Sequence, residues 1–135
     1  ASIGIIMPKF SKSSDDKLNT CHPLLQTLFR EVVKHYDCTI ICGHRGEKEQ
    51  NEAFEKGYSK LKFPKSKHNA MPSRAVDVMA YPIRWEDKSR HLHFAGYVHA
   101  VADKLGIKIR WGGNFDGDKN LDNGFQDRPH FELVD

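Results

Sequence analysis

Apolar positions recur along this chain with two different periods, and the places where the period changes divide it into elements. Leu18, Leu24, Leu25, Leu28, Phe29, Val32 and Val33 follow helical spacing, which predicts a helical region from about Ser13 to His35. Ser13-Ser14-Asp15-Asp16 supplies an N-cap and early acids, and Pro23 begins the region's second part. Cys38-Thr39-Ile40-Ile41-Cys42 is a short apolar, β-branched run that predicts a strand ended by Gly43. Glu47 to about Lys56 reads as a helix with Gly57 as its C-cap. Residues 58–74 contain Pro64, Asn69 and Pro72 and are expected to be mostly loop.

The second half continues the alternation. Ala75 to Met79 predicts a strand closed by Pro82. From His91 to Leu105, Phe94, Tyr97, Val98, Val101, Ala102 and Leu105 share one face of a helix that Gly106 ends. Ile107-Lys108-Ile109-Arg110-Trp111 alternates as a strand does, residues 112–126 are a Gly-, Asp- and Asn-rich loop, and Pro129 to Val134 is a last short strand. Helices and strands mix without strict βαβ order. The expected fold class is therefore α+β, a single domain with a small, mostly antiparallel sheet packed with helices.

Composition narrows the picture. The chain has 135 residues with 39% hydrophobic and 29% charged positions, enough for one core without disulfides. Residues 1–6 are expected to be an extraneous remnant or a disordered start, with Met7 as the natural beginning of a domain over 7–135. A net charge of +3 suits a polyanionic neighbourhood but is too weak to argue for nucleic acid. No apolar run spans a membrane, and Ala1 to Met7 lack the basic start and length of a secretory signal. Cys21, Cys38 and Cys42 fit neither a redox motif nor a four-cysteine zinc site, and read as free thiols from a reducing compartment.

The candidate chemistry lies in three separated residues, His68, Asp77 and His130. Two imidazoles and one carboxylate can hold zinc and leave its fourth position open for water, as in catalytic rather than structural sites. Asp77 and His130 fall on predicted strands and His68 on the loop before one. Asp127, three residues before His130, can take a proton from that water. His130, Glu132 and Val134 share a strand face, so Glu132 can orient a histidine. Taken singly, the three candidate ligands read as a loop histidine, a buried cap and a core imidazole; the combination points to a metal.

Ser66-x-His68, Ala75-x-Asp77 and Asp127-x-x-His130 together resemble the zinc peptidases that cleave peptidoglycan stem peptides. That family includes D-Ala-D-Ala carboxypeptidases, dipeptidases and L-alanyl-D-glutamate endopeptidases. Cys21-His22-Pro23, Gly43-His44-Arg45-Gly46, Pro72-Ser73-Arg74 and Pro129-His130-Phe131-Glu132 make the chain most similar to the bacteriophage endolysin branch, over about residues 7–135. His68 and Asp77 stand nine positions apart, with Ser73 where many members carry Gly, a longer gap that occurs within that branch.

The resemblance implies a hedgehog/D-Ala-D-Ala peptidase-like fold with zinc held on the sheet by His68, Asp77 and His130. It implies Asp127 as general base, with Glu132 as the rival, and Arg45 as the residue that binds substrate or stabilises the oxyanion. Ser66 and Gln50 are expected to bind substrate or support the site. The implied activity is hydrolysis of stem peptides, at the L-Ala–D-Glu bond, by an endolysin in host lysis. Such a protein is made in the host cytoplasm and acts as a monomer on the cell wall in the periplasm. It needs a holin-type partner to pass the membrane and inserts into none itself. The alternatives are a D-Ala-D-Ala carboxypeptidase of the same family and a non-catalytic zinc-stabilised wall-binding module; retention of Asp127 argues against the latter.

Asp116-x-Asp118-x-Asn120-x-Asp122 begins like a calcium loop, but Leu121 stands where its Gly belongs, so calcium competes with a plain Asx-rich turn. His91, His93 and His99 read as solvated or partly packed. Trp85 and Trp111 read as core or groove aromatics.

Overall fold

The computed structural model describes residues 7–114 and 127–135. Its elements run α1 (Lys12–Leu18), α2 (Pro23–Val33), β1 (Cys38–Cys42), α3 (Glu47–Glu55), β2 (Ala75–Ala80), α4 (Lys88–Leu105), β3 (Ile109–Trp111) and β4 (His130–Leu133). The expected α+β class holds. The strands form one sheet in the order β1-β2-β4-β3, every neighbouring pair antiparallel.

The predicted first helical region divides in two. The Ser11 side chain, rather than Ser13, caps α1, and Pro23 opens α2, where its missing N–H costs no hydrogen bond. Between them Cys21 makes an isolated parallel bridge to Ser73, which ties the helical half to the segment entering β2. The helix predicted from His91 begins three residues earlier because Asp87 caps it, its side chain accepting from the Arg90 N–H. It ends as predicted at Gly106, whose φ of 73° is left-handed.

Period-two alternation sorts the central strands. Val76, Val78 and Ala80 of β2, with Phe131 and Leu133 of β4, face the apolar core with α2 and α4. Phe131 meets Phe29 and Phe94 edge-on, at centroid distances of 5.4 and 6.0 Å, an arrangement that suits ring quadrupoles. Two residues assigned to the apolar helix faces do not join this core: Leu24 and Leu105 are 45% and 41% exposed. Both stand at helix ends, Leu24 in the first turn of α2 and Leu105 as the last residue of α4.

The other sheet face carries Asp77, His130 and Glu132. β1, at the sheet edge, is covered by α1, where buried Ser14 Oγ accepts from the Ile40 N–H at 3.0 Å. Its pairing with β2 slips between Ile40 and Cys42, and the irregularity leaves Ile41 lining the cleft described below.

Candidate metal centre and active site

The register of β2 and β4 brings two of the three candidate ligands together. Asp77 and His130 are direct cross-strand partners, and such partners project from the same sheet face. His68 arrives from the segment predicted as loop, on a short 3-10 turn over Lys67–Asn69. Ser66 caps that turn, its Oγ accepting from the His68 N–H at 3.2 Å, and the Asn69 side chain reaches back to the Ser66 N–H. His68, Asp77 and His130 are all buried, and one ligand atom from each lies within 4.8 Å of the others.

The outer ring nitrogens decide what the inner ones present. His68 Nδ1 lies 2.8 Å from the Gly43 carbonyl oxygen, which can only accept, so Nδ1 carries the proton. His130 Nε2 lies 2.9 Å from Glu132 Oε1 and donates to it. With neutral rings, His68 Nε2 and His130 Nδ1 therefore turn lone pairs inward, 3.2 Å apart. Both also face Asp77 Oδ1, at 3.2 and 3.3 Å. Three buried acceptors at this spacing repel unless a cation or protons lie among them. The donor set fits a divalent metal, and the outer hydrogen bonds are the kind that fix a ligating histidine's tautomer.

The electrostatics carry the same demand for positive charge. Burial disfavours the charged form of His68, but the Asp77 carboxylate outweighs it and pushes the imidazole up to about 10. His130 is likewise raised against burial by its bonds to Asp77 and Glu132. Burial works against the Asp77 anion too, yet the two imidazoles hold it well below the usual carboxylate range. Glu132 is lowered despite burial by His130 and by Lys67, whose Nζ lies 3.3 Å away.

Asp127 stands apart from these pairings. Its Oδ2 is 3.9 Å from His130 Nδ1. Burial, then repulsion from Asp77, pushes it up to about 6. Its backbone is fastened on both sides: the Asp127 N–H donates to the Gly112 carbonyl at 2.7 Å and its carbonyl accepts from the His130 N–H at 3.0 Å. Trp111 Nε1 donates to the next carbonyl, that of Arg128. A Cβ on Gly112 would run into the Asp127 carbonyl and His130 Cβ, so only glycine allows the approach that seats Asp127.

Arg45 also reaches the centre. Its Nη2 is 3.4 Å from Asp77 Oδ2, on the side away from the histidines, and its Nη1 donates to Gln50 Oε1 at 3.1 Å. Gln50 is fully buried, and its Nε2 donates to Ser59 Oγ and the Leu61 carbonyl.

The chain matches the sequence profile of the phage L-alanyl-D-glutamate peptidases over residues 6–134. This chain belongs to that family. It is 34% identical over 136 residues to the L-alanyl-D-glutamate peptidase of Escherichia phage T5, which covers 93% of this chain and 98% of that protein. The crystal structure of the L-Ala D-Glu endopeptidase ChiX from Serratia marcescens superposes with a TM-score of 0.73 at 28% identity, covering 98% of this chain and 96% of that one.

Within this family member, some features of the site were not picked out from the sequence. The Gly43 carbonyl, the Gly112 approach and the Lys67–Glu132 pair each depend on contacts between distant segments. Gly43 offered a weak signal as the glycine directly after a strand, and there a Cβ would meet Thr20 Oγ1 and the Lys17 carbonyl. His91, read as solvated or partly packed, is buried at 7% exposure with Nε2 3.0 Å from the Trp85 carbonyl. Trp111 is buried, whereas Trp85 is 59% exposed. The three cysteines are free. Asp116, Asp118, Asn120 and Asp122, the calcium candidates, lie outside the described residues.

Proposed function

We propose that this chain is a zinc-dependent endopeptidase that hydrolyses the L-Ala–D-Glu bond of peptidoglycan stem peptides, working as a phage endolysin in host lysis. The observation that carries the reading is the inward convergence of His68 Nε2, Asp77 Oδ1 and His130 Nδ1 beside a carboxylate, Asp127, held at the edge of the cluster. Family membership and the names of the phage T5 and Serratia relatives supply the bond.

His68, Asp77 and His130 would hold the zinc. Zinc bound there supplies a Lewis acid that polarises a carbonyl and acidifies water. Asp127 takes the proton from the attacking water as the new C–O bond forms. It then passes that proton to the leaving amine as the C–N bond breaks. Its carboxylate, at the edge of the ligand cluster and lining both clefts, is placed to accept that proton and return it. Glu132, the rival base, is already engaged by His130 Nε2 and Lys67, which suits it to orienting His130. Arg45 stabilises charge developing on the carbonyl oxygen. Gln50 positions Arg45, and Ser66 positions His68 through its cap.

Cleavage of an internal bond is favoured over removal of a terminal residue because two clefts meet at the centre. One of about 680 Å³ and one of about 440 Å³ both reach Arg45, Tyr58 and Asp127. Substrate chain therefore has room to extend from the reacting carbonyl along both clefts. The peptidase domain spans residues 7–135. The protein is made in the host cytoplasm and reaches the wall as a monomer once a holin-type partner opens the inner membrane. No helix among the described residues is long and apolar enough to cross a membrane.

The test is digestion of purified Gram-negative peptidoglycan with and without a zinc chelator, read by mass spectrometry. Chelator-sensitive release of peptides beginning at D-Glu, with L-Ala left on the glycan, is expected. Release of terminal D-Ala alone would replace this reading with the carboxypeptidase, and no product from zinc-loaded folded protein would replace it with a non-catalytic module.

A further inference from the structure

The two clefts that meet at the ligand cluster differ in chemistry. The larger is walled, among the described residues, by Ile41, Ala53, Tyr58, Trp85 and Pro129 around its polar floor. Trp85 stays 59% exposed there while buried His91 holds its main-chain carbonyl. A large aromatic ring is thus presented to solvent from a fixed backbone, as contact surfaces often present one.

The smaller cleft is lined, among the described residues, by five cations, Arg45, Lys60, Lys65, Lys67 and Arg110, against two carboxylates, Asp127 and Glu132. Glu132 and Asp77 pair with Lys67 and Arg45, respectively, so the basic character of the cleft wall is carried by Lys65 and Arg110. Arg110 is the direct cross-strand partner of Glu132, so it projects from the same sheet face as the metal ligands. Lys65 and Arg110 are both exposed at the cleft wall.

We infer that the substrate crosses the centre in one direction, with its D-Glu side in the basic cleft and its L-Ala side along the Trp85 cleft. This rests on the L-Ala–D-Glu peptidase reading above. In that bond the glutamate contributes its amine and keeps two carboxyl groups. Only one can be extended into the rest of the peptide, so the leaving segment carries a carboxylate close to the scissile bond. The alanine side brings no such charge. Asp127 and Arg45 line both clefts, so a bond seated at the cluster sends one arm into each, and charge complementarity assigns the arms. Lys65 and Arg110 receive the glutamate carboxylate and thereby set specificity for it.

The experiment compares two acyl-capped peptides containing L-Ala–D-Glu, one with the glutamate's free carboxylate and one with that group as a carboxamide. Zinc-loaded wild-type protein should favour the carboxylate peptide roughly five- to tenfold in kcat/KM, mostly through KM, the scale of partly exposed charge-assisted contacts. The preference should shrink in high salt. It should fall toward one in the Lys65→Gln/Arg110→Gln double variant. In Trp85→Ala, KM should rise for both peptides with the ratio kept. Equal hydrolysis of the two peptides by the wild type, which needs no variant to fold, overturns the inference while leaving the peptidase reading standing. A preference that survives the double variant, or is lost in Trp85→Ala, also overturns it. Failure of the wild type to cleave either peptide overturns the peptidase reading and this inference with it.

Discussion

Asp77 and His130 sit on paired strands, whereas Asp127, three residues from His130, belongs to no strand. The first two take their positions from a ladder in which each hydrogen bond restrains its neighbours. Asp127 takes its position from the Gly112 carbonyl, from the His130 N–H and from the anchoring of Arg128 by Trp111. One region is over-determined and the other rests on a few contacts. Metal binding and proton transfer are therefore expected to fail separately, and under different substitutions.

The sharpest separation comes from removing a residue of each kind. His68→Ala should abolish both stoichiometric zinc and hydrolysis. Asp127→Ala should keep the zinc and lose about 10²–10⁴ in kcat, the range for a positioned acid–base group. Metal analysis beside steady-state kinetics reads both, and an active Asp127→Ala protein would remove the base assignment.

Gly112→Ala strikes the weaker attachment without touching a charged group. Its Cβ meets the Asp127 carbonyl, so the segment must shift. The expected cost is about 1–3 kcal/mol in stability, with a fall in kcat and zinc retained. Thermal unfolding and kinetics on the same sample check it; unchanged kcat would mean that Asp127 does not depend on this approach.

A smaller effect is expected at the outer edge of the ligand set. Glu132→Gln keeps the shape but removes the charge that holds the His130 Nε2 proton. Zinc affinity should fall about 10- to 100-fold, the usual size for a group supporting a ligating histidine, as measured by competition with a chelator. Unaltered affinity would leave Glu132 free for another role.

The mildest test is pH. Asp127 accepts protons only as the anion, so kcat/KM should fall as pH drops through its pKa. Burial and Asp77 place that value near 6 in the metal-free protein, and a bound cation favours the anion and moves it lower. At saturating zinc the acidic limb should lie at or below about pH 6. A limb well above that would point to another group.

Much of the site could be read along the chain because its chemistry is concentrated in short local patterns. His130 and Glu132 two apart on a strand must share a face, and in the structure they touch. The strand run at Cys38–Cys42 was marked by β-branched residues, the strand read at Ala75–Met79 extends one residue further to Ala80, and α4 was marked by an apolar stripe ended at Gly106. The boundaries that moved did so at caps: Ser11 instead of Ser13, and Asp87 ahead of His91. A cap hydrogen bond depends on how the chain enters the helix, which residue spacing does not encode.

Reading along the chain was enough for the element types, the α+β class and the candidacy of His68, Asp77, His130 and Asp127. Periodicity and spacing report which way a side chain faces within one element, and the resemblance of the Ser66-x-His68, Ala75-x-Asp77 and Asp127-x-x-His130 motifs to the zinc peptidases singled out the site residues. Folding was needed to set Asp77 opposite His130, to bring the Gly43 carbonyl to His68 Nδ1, to bury Gln50 beside Arg45, and to join a basic and an aromatic cleft at one centre. Each of these joins segments far apart in the chain. Strand register and the close packing around glycines set them, and neither is written in the pattern of any single element.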